Sequence, residues 1–173
     1  MQKLLLMFLL LINVTWVYGT PAEEYFTALG GWQEESSRKY ADLGDLLIFV
    51  SFSIPAMSLQ QLIMDAHKVG GHLVIRGLVN NSFKDTAQAL YELIHESKSG
   101  GIMLDPTLFQ KFNIKQVPAF VVVNHDNLRQ PLCSKFDIVY GNVSLSYVLH
   151  KIASGGDEGK VAQRMLHLLD RYR

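Results

Sequence analysis

The side chains that could carry covalent or metal chemistry are few and scattered along this sequence. Cysteine occurs once, at Cys133. A single thiol rules out an intramolecular disulfide framework, a cysteine-rich zinc site and a dithiol active site. The six histidines (His67, His72, His95, His125, His150 and His167) show no metal-ligand spacing. His67 and His72 bracket Gly70-Gly71, as solvated or capping histidines do. No G-x-S-x-G elbow, Walker loop or dinucleotide fingerprint occurs. Gly70-Gly71 and Gly100-Gly101 read as helix stops rather than phosphate loops. Asp105 precedes Pro106 and reads as a helix N-cap rather than a catalytic acid. No catalytic residue, cofactor or metal is expected, so the chain reads as a non-enzyme.

Composition narrows the class further. The chain has 173 residues, with 16 Lys+Arg balanced by 16 Asp+Glu. Nucleic acid is therefore not the expected partner, because neutralising phosphates takes a basic excess or stripe. Hydrophobic residues make up 49% and charged residues 18%. That is too apolar for a disordered chain and ordinary for one globular domain.

Residues 1–19 read as a secretory signal. Lys3 supplies the basic start, Leu4 to Leu11 is an unbroken apolar run, and Val17-Tyr18-Gly19 ends it with a small residue. The run is short for a bilayer span, which takes about 20 apolar residues; a retained anchor is the alternative. Removing the segment costs Lys3 and no acid, leaving one more acid than base. Small exported domains usually add disulfides. This one lacks them, so its stability must come from apolar burial, for which about 150 residues suffice.

The remaining chain alternates element types. Residues 20–45 form an N-terminal helical extension and linker: Thr20-Pro21-Ala22-Glu23-Glu24 opens a short helix to about Leu29, and Trp32 sits in polar sequence as an interface candidate. Leu46 to Ser51 is a continuous apolar run, the mark of a strand covered on both faces. A helix follows from Ser58, with Gln61 completing a capping box, and buries Leu59, Leu62, Ile63, Ala66 and Val69. Leu73-Val74-Ile75 is a second strand. Ser82 to Asp85 is another capping box, opening a helix whose inward stripe is Phe83, Ala87, Leu90 and Ile94. Ile102 to Leu104 is a short strand, and Asp105-Pro106 starts a brief helix that Asn113 ends. Ala119 to Val123 is the strongest strand signal, Asn124 to Leu128 a turn, and Phe136 to Tyr140 a further strand. Leu145, Val148, Leu149 and Ile152 face inward from a last core helix. Residues 155–173 then form a C-terminal amphipathic helix, free to pack on its own sheet or in another protein's groove. Strand–helix–strand connections demand parallel pairing and the turn at Asn124 demands an antiparallel one. The fold class is α/β: a mixed five-stranded sheet with helices on both faces, plus N- and C-terminal helical extensions.

That element order, with Val117-Pro118 just before the strongest strand, resembles the thioredoxin fold, which implies a cis peptide bond at Pro118 beside the site. Five ordered phrases sharpen the likeness: Phe49 to Pro55, Ile75 to Val79, Leu104 to Phe109, Gln116 to Val122 and Tyr140 to Leu145. Together they resemble the TrbC family, pilin-assembly proteins of F-type conjugative transfer systems, over roughly residues 46–153. The core is accordingly a thioredoxin-like TrbC domain at 46–154. The resemblance implies a periplasmic protein serving a type IV secretion apparatus, with other periplasmic transfer proteins as partners, TraW-like ones foremost, and pilin as a further one. No nucleic acid or small-molecule substrate is implied.

Oxidoreductases of the thioredoxin fold carry a Cys-x-x-Cys pair where the first buried strand meets its helix. Their chemistry needs an exposed low-pKa thiolate and a second thiol to resolve the mixed disulfide. The corresponding stretch here is about Ile54-Pro55-Ala56-Met57, and neither a thioether nor the hydroxyls of Ser51, Ser53 and Ser58 can exchange disulfides. Cys133 reads as a partly buried small hydrophobe, with a reactive or intermolecular thiol as the alternative. Binding remains. The residue before a proline is held extended, so Val117 can offer its backbone to an incoming strand. Ile54, Pro55, Val117 and Pro118 then form the expected partner-binding groove; the bland alternative is that they only finish the core. The rival functions are a thiol-disulfide oxidoreductase or isomerase and a pilin chaperone.

Overall fold

The computed structural model describes Tyr40 and residues 43–97, 101–130 and 133–172. The signal segment, the helix expected at 20–29 and Trp32 lie outside them.

Strand β1 (Leu46–Val50) leads into helix α1 (Ala56–Lys68), then β2 (His72–Ile75), a 3-10 turn at Val79–Asn81 and α2 (Phe83–Ser97). Next come β3 (Ile102–Leu104), α3 (Pro106–Lys111), β4 (Ala119–Val122), α4 (His125–Arg129) and β5 (Asp137–Tyr140). Helices α5 (Leu145–Ala153) and α6 (Gly159–Asp170) close the chain. The five strands form one sheet in the order β3-β2-β1-β4-β5. The β1–β2 and β2–β3 pairs are parallel, while β4 runs antiparallel to both β1 and β5. This is the expected α/β architecture, with the mixed five-stranded sheet of a thioredoxin-like domain.

Strand periodicity divides the core in two. Successive side chains of a strand point to opposite faces. Leu46, Ile48, Val50, Phe120 and Val122 therefore face one cluster, while Leu47, Phe49, Ala119 and Val121 face the other. Helices α1, α5 and α6 cover the first face with Leu59, Ile63, Val148, Leu149, Val161 and Met165. The second face is covered by Leu108, Phe109, Phe112 and Leu128, with Tyr40 and Leu43 from the chain before β1. Phe109 meets Phe49 edge-on at 4.8 Å between ring centroids, a geometry that favours aromatic pairs.

Backbone chemistry sets the joints. Asn113 ends its helical turn with φ of 51°, and Gly70 sits at φ of 70° after α1, conformations that Asn and Gly tolerate best. A Cβ on Gly44 would stand 1.9 Å from the Gly70 carbonyl oxygen. The turn after α1 thus crosses the entry to β1 at a distance only glycine permits. Asp105 caps α3 as expected, accepting the backbone N–H groups of Thr107 and Leu108, and Ser82 Oγ accepts from the Asp85 N–H at 3.2 Å.

Three local readings change. Helix α1 begins at Ala56, two residues before Ser58; Pro55 is its N-cap and no side chain caps it. A prolyl φ already suits a helix entry, and the Ser58 N–H is taken by the Pro55 carbonyl at 2.9 Å. The segment after β4 is the short helix α4 rather than a turn, because Asn124 Oδ1 accepts the Asp126 N–H at 2.9 Å and starts it. On α2 the stripe Phe83, Ala87, Leu90, Ile94 is not the buried one. Phe83 is 74% exposed, whereas Thr86 and Leu93 are buried and Leu90 packs against the core. The inward face is rotated from the expected one because the Thr86 hydroxyl is drawn under the preceding turn, donating to the Ser82 carbonyl and accepting the Val79 N–H.

The C-terminal helix packs on its own domain. Val161, Ala162, Met165 and Leu169 of α6 join the same cluster as α1 and α5. Among the described residues no helix is long and apolar enough to cross a membrane.

Candidate functional site

The sequence placed its groove where β1 runs into α1, and local geometry explains what that corner offers. After Val50 the chain turns tightly, with the Ile54 N–H donating to the Ser51 carbonyl at 3.1 Å. Ser51 and Ser53 pair through their hydroxyls at 2.6 Å. Ile54 packs half-buried against the first cluster, whereas Pro55, Ala56 and Met57 are exposed. Met57 is 78% exposed on the first turn of α1. The stretch Ile54 to Met57 thus presents an apolar surface without a thiol.

Beside the end of β1, just before the neighbouring strand β4, lies the loop from Ile114 to Pro118. The Val117–Pro118 peptide bond is cis, and the Pro118 carbonyl accepts the Gly141 N–H at 3.0 Å. Pairing of β4 with β1 begins only at Ala119. Among the described residues no hydrogen bond reaches the backbone N–H or C=O of Val117. Val117 itself is half-buried.

Beside Val117 is a cavity of about 390 Å3. It sits at the C-terminal ends of β1 and β2, between Val50 and Ile75, where open α/β sheets bind their ligands. Phe52, Phe109, Ile114 and Val117 make its apolar walls; Arg76 and Lys115 are its cations, and among the described residues no carboxylate lines it. The Arg76 guanidinium carbon lies 5.5 Å from the centre of the Phe109 ring, which holds the charge against an aromatic face. A second cavity of about 240 Å3 lies between α1 and α2, lined by Ile54, Ala56 and Glu92 among others. Phe52 lines both.

The four expected groove residues are therefore distributed. Val117 lines the larger cavity and Ile54 the smaller one. Pro55 caps α1, and Pro118 sets the loop. Sequence reasoning missed Phe52, Arg76 and Phe109 as lining residues. Strand ends were the available signal: Ser51-Phe52 and Arg76-Gly77 directly follow the two parallel strands, where the switch-point rule puts ligands.

Cys133 and Ile54 pack against different core clusters, on opposite faces of the sheet. The cysteine is half-buried against the second cluster and its Sγ donates to the Lys135 carbonyl at 3.7 Å. Burial pushes its thiol pKa up, an effect the nearby Lys111 partly opposes. Lys111 in turn donates to the carbonyls of Leu128 and Gln130 at the end of α4.

The model of the family described as type-F conjugative transfer system pilin assembly protein, TrbC, matches residues 48–152. The chain belongs to this family. The match begins inside β1 and ends inside α5, so it takes in the sheet, the cis-proline loop and the larger cavity. The chain is also 38% identical, over 121 residues, to the periplasmic protein TrbC of Escherichia coli strain K12. That alignment covers 69% of this chain and 53% of the relative, so the chain spans about half the length of the curated protein it matches. No solved structure matches it significantly.

Proposed function

We propose that this family member is a non-catalytic periplasmic assembly factor for the conjugative pilus, working by protein–protein binding. One observation carries the reading: the backbone of Val117, unpaired among the described residues, borders a cavity of about 390 Å3, while the corner that would hold a thiol pair carries Ile54-Pro55-Ala56-Met57. An extended partner segment pairs with Val117 through main-chain hydrogen bonds, and its apolar side chains enter the neighbouring cavities. Ile54 and Pro55 border the incoming strand on one side, Val117 and Pro118 on the other. Other periplasmic transfer proteins, TraW-like ones foremost, and the pilin subunit are the partners this reading names.

Two assays test it. Binding of the purified TraW-like protein and pilin subunit of the same transfer system is measured against wild type and Val117→Pro, with circular dichroism checking that the variant folds. Wild type binds one of the two, and the folded variant, lacking the Val117 donor, does not. Equal binding by the folded variant overturns the groove. Insulin reduction by the wild-type chain is expected at background, and turnover would make it an oxidoreductase instead.

A further inference from the structure

Among the described residues, two cations line the cavity beside Val117 and no carboxylate does. Arg76 and Lys115 are both exposed at its edge, and among the described residues neither forms a salt bridge. The carboxylate at the end of the neighbouring strand β3, Asp105, is committed elsewhere. Its Oδ1 accepts from Thr107 and Leu108, and its Oδ2 from the Tyr40 hydroxyl. Arg76 is meanwhile held over Phe109, which leaves its planar fork of donors free for a carboxylate.

We propose that the cavity takes an acidic, otherwise apolar, extended peptide segment of the partner, with an Asp or Glu side chain held between Arg76 and Lys115 and an apolar neighbour seated against Phe52, Phe109 and Val117. This rests on the strand-pairing reading above and adds the partner's chemistry to it. Main-chain pairing at Val117 fixes the direction and register of the segment but reads no side chain. The cation pair supplies that selection: charge-assisted hydrogen bonds favour the carboxylate, and a lysine at the same register would meet like charge. Strand periodicity gives the sequence signature. Side chains alternate between faces, so the acid and the apolar anchors are two residues apart on the segment's inward face.

Fluorescence anisotropy on the full chain tests this with three labelled heptapeptides of alternating Val and Ala, differing only in a central Asp, Asn or Lys. The Asp peptide is expected to bind about ten-fold more tightly than the Asn peptide, with the Lys peptide weakest. Arg76→Gln combined with Lys115→Gln removes that margin, and raising salt from about 0.05 M to about 0.5 M narrows it. Both side chains are exposed, so circular dichroism should find the double variant folded. If all three peptides bind alike and Val117→Pro abolishes all of them, strand pairing stands and the acid selection is overturned. If the Asp preference survives Val117→Pro, the acid site stands and the strand pairing falls. If no peptide binds, both fall. A dimer in sedimentation velocity that the Asp peptide does not dissociate would put a second copy of the chain on this face and also overturn the proposal.

Discussion

The Asp137 carboxylate, on strand β5, accepts the backbone N–H of Glu158 at 2.7 Å through Oδ2 and that of Asp157 at 3.2 Å through Oδ1. No side chain of α6 caps its own N-terminus. The cap comes from the sheet, and Gly156 gives it room, since a Cβ there would lie 2.5 Å from Asp137 Oδ2. Glu158 continues the link, accepting from Asn127 Nδ2 on α4 at 3.1 Å.

Removing this cap should loosen the last helix. Asp137→Ala is expected to cost about 0.5–2 kcal/mol, the range for lost caps, and Asp137→Asn, which keeps one acceptor oxygen, about half of that. Urea unfolding followed by circular dichroism measures both. An unchanged midpoint in Asp137→Ala would show that α6 is held by its apolar face alone.

Exposure separates two phenylalanines that the sequence pattern places inward alike. Phe83 is 74% exposed on α2, whereas Phe120 is fully buried in β4. Phe83→Ser should change stability by no more than about 0.5 kcal/mol, while Phe120→Ala should cost about 3–5 kcal/mol. A large loss in Phe83→Ser would place that ring in contact with another part of the chain.

His72 gives the fold a dependence on mild acid. Burial lowers its pKa from the ordinary 6.5, and its Nδ1 is buried without a partner among the described residues. Desolvation favours the neutral ring in the folded state. With the folded value below the unfolded one, its contribution is complete above pH 6.5 and is lost as pH falls through the lower folded value. Unfolding midpoints should decline on acidification below pH 6.5, and His72→Gln should remove that part of the slope. Parallel profiles for the two proteins would refute the assignment.

Cys133 should behave as a structural thiol. Burial raises its pKa above the ordinary 9.0, so little thiolate exists at neutral pH and the reactive species is scarce. Iodoacetamide should label native protein more slowly than protein in denaturant. Cys133→Ala should fold and keep its partner binding. Equal labelling rates in the two states would identify an exposed, reactive thiol.

The large elements were legible because their signals are local. Leu46 to Val50 and Ala119 to Val122 are apolar without a break, as strands covered on both faces must be, and all nine residues are buried. Asp105-Pro106 announced its helix by a cap chemistry that works within three residues. The α2 stripe failed for the opposite reason. Phe83, Ala87 and Ile94 have helical spacing, but spacing defines a face without saying which of two faces meets the sheet. Thr86, a polar residue, was drawn inward together with Leu93, its hydroxyl satisfied by the turn before it. The α4 segment was misread because a five-residue helix has too few apolar positions to show a period.

The candidate site divides along the same line. The missing thiol pair, the Val117-Pro118 dipeptide and the family's ordered phrases are properties of the chain read in one dimension, and the sequence alone determined them. Proximity of residues far apart in that order is not. Parallel pairing of β1 with β2 puts Arg76 near Phe52, and the crossover through α3 carries Phe109 beneath them. The cation-flanked cavity beside Val117 exists only because those strand ends lie side by side. Likewise, an amphipathic last segment could bury its face at home or on a partner; the Asp137 cap and the α5 surface decided it, since both become available only once the sheet has formed.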